Sequence, residues 1–404
     1  MAELATIEAS IKTVSPSWGK KFVKRSEGLK LVKPRLVEPE RSLGCRKSVI
    51  EKWFVDIEDL FKMEHLHPSM IANFDETMVQ PQTKSTVKVV GRSTSGAVVL
   101  CAEPDLPHIT LGVTIFANGK FCKHLLIYPQ KYVPQEVRGA NALEYIDYTL
   151  AGQDSGWITT AIFAEHCRKT IIPAFLDNRA RLEELGVLNA PGILIVDGHS
   201  SRLNSKLLDE LAELNISCPV LPSHASHVLQ PLDLKVFGVF KSTLSKGDSS
   251  LRKLTLPERR AALLAKVRKS LHIALDVTTV QASFRASGLF PFNPSIPLMH
   301  PCVLLREDNT PSIIDQSGKG NGGRYLMSGK IITDLAEREA IRLVEEKTAQ
   351  RKRAKLAENS TPLVVDVQIT TDSDDHIVTP PRKRRGRPPM KRNLQALAAS
   401  LPEA

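Results

Sequence analysis

The sequence has 404 residues, of which 42% are hydrophobic, and a formal net charge of +11 at pH 7. This composition suffices for one large domain with appendages, and no apolar run approaches the roughly 20 residues of a membrane-spanning helix. Six cysteines are scattered without a C-x-x-C pair, which argues against a zinc module and a disulfide framework. The excess of positive charge favours a polyanionic partner. We expect no membrane partner and no small-molecule cofactor.

A helix with an aromatic anchor is predicted near the amino terminus. Trp18, Phe22 and Val23 share one helical face, and the basic residues lie mostly elsewhere. Such a helix can lie along DNA while its side chains neutralise phosphates; the DNA-binding candidates are Lys20, Lys21, Lys24 and Arg25. A short solvated helix whose charges make no specific contact is the alternative.

A helical connector is predicted over residues 43–70, where Pro68 ends it. Alternating and β-branched residues then predict strands at 87–90, 96–100, 109–116 and 121–128. The dipeptide Asn118-Gly119 marks a tight hairpin turn between the last two strands. The segment therefore begins with antiparallel strands.

Helices and strands alternate after residue 157. Helices are predicted at 163–176, 205–214 and 257–275, and strands at 192–196 and 218–221. Antiparallel strands followed by this alternation predict an α/β fold with a mixed sheet.

Three aspartates follow or begin elements that would place them at one edge of the sheet. Asp197 directly follows the apolar run 192–196, at the carboxyl end of a buried strand, where open α/β sheets place their sites. Asp233 follows Pro231, a residue favoured in the first turn of a helix. With Asp75, these residues supply three carboxylates from separate segments, which suits a pair of Mg²⁺ ions because hard cations prefer oxygen ligands. Each aspartate taken singly is also typical of a helix cap or a turn.

Five stretches around these aspartates resemble, in order, the motifs of pogo-type transposases of the mariner superfamily, the group that includes tigger, jerky and centromere protein B. The stretches are 73–77 (NFDET), 196–200 (VDGHS), 221–224 (LPSH), 229–233 (LQPLD) and 284–294 (FRASGLFPFNP). The resemblance covers about residues 15–295, with 35 residues between Asp197 and Asp233.

The resemblance implies an RNase H-like endonuclease domain over residues 71–295, flanked by helices. It implies that Asp75, Asp197 and Asp233 are catalytic and hold two Mg²⁺ or Mn²⁺ ions beside a scissile phosphate. One ion would activate a water or a DNA 3′-hydroxyl, and the other would stabilise the leaving oxygen. It also implies that residues 1–42 are the remnant of a second helix-turn-helix module, whose preceding helices are missing here.

Four further residues are candidates for supporting roles near the site. Glu76 follows Asp75, and because adjacent strand residues point to opposite faces, we expect it to support the site without binding the metal. His199, His224 and His227 are candidates for phosphate contact or general acid chemistry, and capping or loop hydrogen bonding is the alternative for each. Arg202 stands where many relatives carry histidine, and we assign it no catalytic role.

The carboxyl-terminal hundred residues change character. We predict a linker at 296–330, a charged helix at 331–357 and a largely disordered basic tail at 358–404. Within the tail, a stretch resembling an AT-hook suits the narrow minor groove of A·T tracts; its residues are Arg382, Lys383, Arg384, Arg385, Gly386, Arg387 and Pro388. The same run also reads as a nuclear localisation signal.

The sequence thus predicts a nuclear, transposon-derived DNA strand transferase or nuclease that binds DNA and pairs with a second copy of itself. The alternative is a domesticated DNA-binding or chromatin protein in which the three aspartates remain but no longer cut.

Overall fold

The computed structural model describes residues 18–25, 46–79, 108–143, 148–245, 254–304 and 328–359. The chain divides into two units, Met1–Arg351 and Lys352–Ala404. Of the second unit, only residues 352–359 are described, as the end of a helix. The strands predicted at 87–90 and 96–100 and the AT-hook-like residues 382–388 lie outside the described residues.

A six-stranded mixed sheet forms the centre of the first unit. Its strands are β1 (Ile71–Val79), β2 (Ile109–Phe116), β3 (His124–Tyr128), β4 (Tyr148–Gly152), β5 (Gly192–Ile195) and β6 (Ile216–Ser217), in the order β4-β3-β2-β1-β5-β6. Strands β1, β2 and β3 are antiparallel to one another in turn, whereas β5 runs parallel to β1 and β6 parallel to β5. Strand β4 adds a parallel edge beside β3. The predicted α/β fold with a mixed sheet is confirmed.

Helices cover both faces of the sheet and extend beyond it. They are α1 (Trp18–Arg25), α2 (Lys47–Phe61), α3 (Gln135–Leu143), α4 (Thr160–His166), α5 (Ile172–Glu184), α6 (Ser205–Glu213), α7 (Ser226–Leu229), α8 (Phe237–Ser245), α9 (Leu256–Ala274), α10 (Val277–Ala286), α11 (Ser295–Leu298), α12 (Pro301–Leu304) and α13 (Leu335–Asn359). A π-helical stretch, Cys167–Ile171, joins α4 to α5. A second, Leu232–Val236, leads into α8.

The alternation of side chains along β1 builds two separate cores. Ile71 packs on one face with residues of α8 and α9. Ala72 and Phe74 pack on the other face with α4 and α5, where Phe163 lies 5.1 Å from Phe74 between ring centroids. Because neighbouring residues of a strand point to opposite faces, β1 is buried on both sides.

The hairpin turn at Asn118-Gly119 is confirmed. The backbone N–H of Gly119 donates to the carbonyl of Phe116 at 2.9 Å, and Gly119 has a φ of +95°, a conformation that glycine adopts without steric cost. The strand after the turn starts later than predicted, at His124, because Phe121 makes only an isolated bridge with Ile115.

Two edge strands differ from the sequence prediction. The strand predicted at 218–221 is displaced to Ile216–Ser217, and Val220 forms only an isolated bridge with Val196. Strand β4 has no counterpart in the prediction, since its residues after Tyr148 are half-buried and carry no clear alternation. Edge strands give weak patterns because one side lacks a partner strand.

Candidate active site

The three predicted aspartates come from three different elements. Asp75 lies within β1 and is 8% exposed, Asp197 follows the end of β5, and Asp233 lies in the π-helical stretch after Pro231. In the parallel pairing of β1 with β5, Asn73 lies opposite Ile195. Asp75 and Asp197 each follow that pair by two residues. They therefore lie at corresponding positions along the sheet, Asp75 within β1 and Asp197 just beyond the end of β5.

A pair of buried amides attaches the Asp233 segment to β1. The side-chain nitrogen of Asn73 donates to the carbonyl of Ile195 at 3.0 Å and to the side-chain oxygen of Gln230 at 3.1 Å. The side-chain oxygen of Asn73 accepts from the backbone N–H of Leu232 at 3.2 Å. Both amides are fully buried. These bonds fix the backbone immediately before Asp233 against the strand that carries Asp75.

Both amides lie inside the sequence motifs, but no role was predicted for them. The sequence signal was available: Asn73 is a polar residue in an otherwise apolar strand, and Gln230 directly precedes the proline that starts a helix. Buried polar groups persist when hydrogen bonds satisfy them, so each required a partner.

The electrostatics of Asp75 depend on the other two aspartates. Burial raises the pKa of the Asp75 carboxyl well above its ordinary value, and the negative charges of Asp233, Asp197 and Glu76 raise it further, against a smaller lowering by Arg202. Asp233 and Asp197 are therefore close enough to repel the carboxylate of Asp75.

Arg202 joins two carboxylates beneath this group. Its Nη1 donates to Oε1 of Glu76 at 2.9 Å, and its Nη2 donates to Oε2 of the same residue. Its Nε and Nη2 reach Oδ1 of Asp197 at 3.1 and 2.9 Å. Nη1 also donates to the hydroxyl of Ser201 at 2.8 Å.

The guanidinium of Arg202 is enclosed by aromatic rings. Its central carbon lies 4.8 Å from the centroid of Phe74 and 4.7 Å from that of Phe163, and the side chain is 1% exposed. Burial by itself lowers the pKa of Arg202, but the carboxylates of Glu76 and Asp197 outweigh it, so the pKa is raised and the charge is kept.

The structure places Glu76 on the face of β1 opposite Asp75, toward Arg202, as the strand alternation predicted. Arg202, to which the sequence gave no catalytic role, lies at the site. It lies in direct contact with Asp197. A basic residue five positions after Asp197 gave no sequence signal of this contact, since the acidic partner Glu76 is 126 positions away along the chain.

The three candidate histidines have separate environments. His199 caps the 3₁₀ turn Ser200–Arg202, accepting at Nδ1 from the backbone N–H of Ser201 at 3.3 Å. His224 has a left-handed φ of +63°. The ring of His227 meets that of His300 edge-on, with centroids 6.4 Å apart. For His199, the loop hydrogen bonding left open by the sequence is therefore present.

The basic candidates at the amino terminus lie on α1. Lys21, Lys24 and Arg25 are exposed there, and Nε of Arg25 donates to the carbonyl of Lys21 at 3.2 Å. The side chain of Lys20 lies outside the described residues, as do the AT-hook-like residues.

The resemblance implies two bound divalent ions, and the chemistry of the three aspartates can be compared with what such ions require. Within the described ranges, no three His, Cys, Asp or Glu side chains stand together as a ready set of metal ligands. The donor chemistry nevertheless fits, because Asp75, Asp197 and Asp233 offer carboxylate oxygens, and the mutual repulsion felt by Asp75 is what a bound cation relieves.

Comparison with known proteins identifies the central part of the chain. Residues 108–256 match the family model described as DDE superfamily endonuclease. This part of the chain is similar to DDE superfamily endonucleases. The resemblance seen in the motifs is confirmed at this level, and the matched residues include Asp197 and Asp233, with Asp75 lying ahead of them.

One curated protein similar to the chain is the MFS-type transporter clz9 of Cochliobolus lunatus. It is 32% identical over 157 residues, which are 38% of this chain and 16% of that protein's length. The chain thus spans about a sixth of this relative. None of the helices in the described ranges combines the length and apolar character needed to cross a membrane.

Solved structures similar to the chain include complexes of Mos1. The Mos1 mariner paired end complex with Mn has a TM-score of 0.45 at 14% identity, covering 72% of this chain and 70% of that one. The Mos1 Strand Transfer Complex has a TM-score of 0.43 at 16% identity, covering 75% and 76%.

Proposed function

We propose that the DDE domain cleaves and joins DNA strands with the help of divalent ions, as a transposase does. The observation that carries the proposal is that burial and the negative charges of Asp233 and Asp197 raise the pKa of the Asp75 carboxyl, in a chain whose residues 108–256 match the DDE superfamily endonuclease model. Two Mg²⁺ or Mn²⁺ ions are the proposed cofactors.

The chain's own residues supply the ligands and their positions. The two strands β1 and β5 hold Asp75 and Asp197 level, and the amides of Asn73 and Gln230 hold the segment of Asp233 against them. When bound, the ions supply Lewis-acid activation of the attacking hydroxyl and stabilise the leaving oxygen of the phosphodiester. Three carboxylates in fixed positions concentrate negative charge where cations are needed, so folding prepares the site before DNA arrives.

DNA is the proposed substrate, and a second copy of the chain is a proposed partner in a transpososome. The net charge of +11 supports a polyanionic partner. The exposed basic side chains of α1 and the AT-hook-like run supply sites for DNA phosphates and the minor groove, and we propose that the protein acts in the nucleus.

The proposal is tested by nicking of DNA in Mn²⁺ with wild-type protein and with Asp197→Asn, a variant that keeps the side-chain shape but loses a charged ligand. We expect nicking by the wild type, none by the variant, and equal DNA binding by both. An absence of nicking by the wild type on DNA that carries transposon ends would overturn the catalytic proposal.

A second candidate function is a DNA-binding protein whose DDE domain no longer cuts. One observation favours it: Asp197 is held by the buried guanidinium of Arg202. In that case, wild type and Asp197→Asn would bind DNA equally, and neither would nick it.

A further inference from the structure

Arg202 is the most completely enclosed charged residue of the candidate active site. Arginine is almost never fully buried unless it is paired, and here the guanidinium is 1% exposed between the rings of Phe74 and Phe163. Contact of a guanidinium with aromatic faces adds attraction when both are removed from water. The two aromatic rings therefore help to hold the Arg202 side chain in one orientation, in addition to its carboxylate partners.

The contacts of this guanidinium divide between two acidic residues. Nη1 and Nη2 take the two oxygens of Glu76 in a paired arrangement, which fixes the plane of the guanidinium. Nε donates to Oδ1 of Asp197 at 3.1 Å, and Nη2 lies 2.9 Å from the same oxygen. Glu76 orients the arginine, and the arginine orients Asp197 through these contacts.

The opposite charges of Glu76 and Arg202 distinguish this arrangement from one in which an unbalanced arginine competes with a cation for Asp197. The negative charge of Glu76 offsets the positive charge of Arg202, so the buried pair adds no net charge beside Asp197. A buried charge that lost its partner would be strongly destabilising, whereas removal of both partners is often tolerated.

We infer that Arg202, oriented by Glu76, is a positioning residue for the candidate active site, because it fixes the carboxylate of Asp197 through Oδ1. This inference rests on the proposed function. It assigns roles to Arg202 and Glu76 in shaping the metal site, although neither residue is a proposed ligand. In metal sites, residues that orient ligands typically change metal affinity 10–100-fold when they are mutated.

The main test uses the double variant Arg202→Met with Glu76→Gln. It removes the contact between Arg202 and Asp197, here called the tether, and leaves neither Arg202 nor Glu76 as an unpaired buried charge. We expect this variant to stay folded by circular dichroism and thermal melting but to bind Mn²⁺ about 10–100-fold more weakly than wild type in calorimetric titration. Mn²⁺ affinity within twofold of wild type, in a folded double variant, would overturn the inference.

A matched control comes from a similar pair on the surface. Arg168 donates from Nε and Nη2 to the two carboxylate oxygens of Glu210 at 2.7 and 2.8 Å, and both side chains are about 40% exposed. We expect Arg168→Lys to leave Mn²⁺ affinity unchanged. Arg202→Lys keeps the charge but loses the planar fork, so we expect it to weaken Mn²⁺ binding despite carrying the same charge.

A metal-free measurement separates this inference from the proposed function. In the metal-free wild type, the Nε–H of Arg202 should give a slowly exchanging NMR resonance that is absent in Arg202→Lys, retained in Arg168→Lys and shifted in Asp197→Asn. Insensitivity of that resonance to Asp197→Asn overturns the tether. A wild type that shows the tether but binds no Mn²⁺ supports the positioning of Asp197 and overturns the metal-dependent function instead.

Discussion

The side-chain nitrogen of Asn73 lies 3.1 Å from the side-chain oxygen of Gln230, and this bond joins strand β1 to the segment that begins the Asp233 helix. The two residues are 157 positions apart along the chain, and both are fully buried. The relative position of two of the three aspartates therefore depends on a contact between two neutral side chains.

Replacing Asn73 by alanine should destabilise the protein by about 3 kcal/mol, since it leaves Gln230 and the N–H of Leu232 buried without these partners, at about 1–3 kcal/mol for each group. Denaturant unfolding measures the loss. The matched control is Asn178→Ala, another buried asparagine that donates one bond, to the carbonyl of Ser69 at 2.8 Å. Equal losses for the two variants would contradict a special role for Asn73.

Replacing Asp75 by asparagine should stabilise the metal-free protein by about 1 kcal/mol or more, because the carboxyl is buried and repelled by Asp233 and Asp197. The same variant should lose the rise in melting temperature that millimolar Mn²⁺ gives the wild type. Thermal melting with and without Mn²⁺ tests both effects.

The control for Asp75→Asn is Asp209→Asn, for which we expect a change in stability of the opposite sign. Hydrogen bonds from Arg338 and Arg342 hold the pKa of Asp209 below its ordinary value, so Asp209→Asn should destabilise the protein slightly, by less than about 1 kcal/mol for a partly exposed pair. A wild type whose melting temperature does not respond to Mn²⁺ would count against a metal site at the three aspartates.

Stability should fall as the pH drops from about 6.5 toward 4. Burial lowers the pKa of His124 to about 3, with a smaller contribution from His166, and burial lowers the pKa of His166 to about 4. Because both pKa values are depressed on folding, the unfolded chain takes up protons first, and each histidine costs about 2 kcal/mol of stability by pH 5.

Chemical unfolding at pH 7.5 and pH 5 measures this loss, and the variant His166→Leu should reduce it. Within the described structure, neither ring nitrogen of His166 has a hydrogen-bond partner, so the variant should be at least as stable as wild type at pH 7.5. A pH dependence unchanged by the variant would show that other groups are responsible.

The double variant Arg385→Ala with Arg387→Ala should lose preference for A·T-rich over G·C-rich duplexes, because the two arginines are the side chains proposed to enter the minor groove. Its salt dependence should flatten by about two phosphate equivalents. Binding titrations at several salt concentrations measure both effects. Equal binding of wild type and variant to both duplexes would reduce the run to a localisation signal.

The sequence by itself determined the order of the elements and the identity of the three aspartates. Apolar runs such as 192–196, the Asn-Gly turn and the proline before Asp233 are local patterns, and local patterns fix local structure. They gave the mixed sheet and placed Asp197 at the end of β5, but they failed at the short edge strands, where packing beyond the segment decides which residues pair.

Only the tertiary structure decided which side chains support the site. Asn73 with Gln230, and Glu76 with Arg202, are pairs separated by more than a hundred residues. A buried polar residue predicts that some partner exists, because leaving it unpaired is costly. The identity of that partner depends on which strands and helices become neighbours when the sheet forms, and no spacing along the chain contains that information.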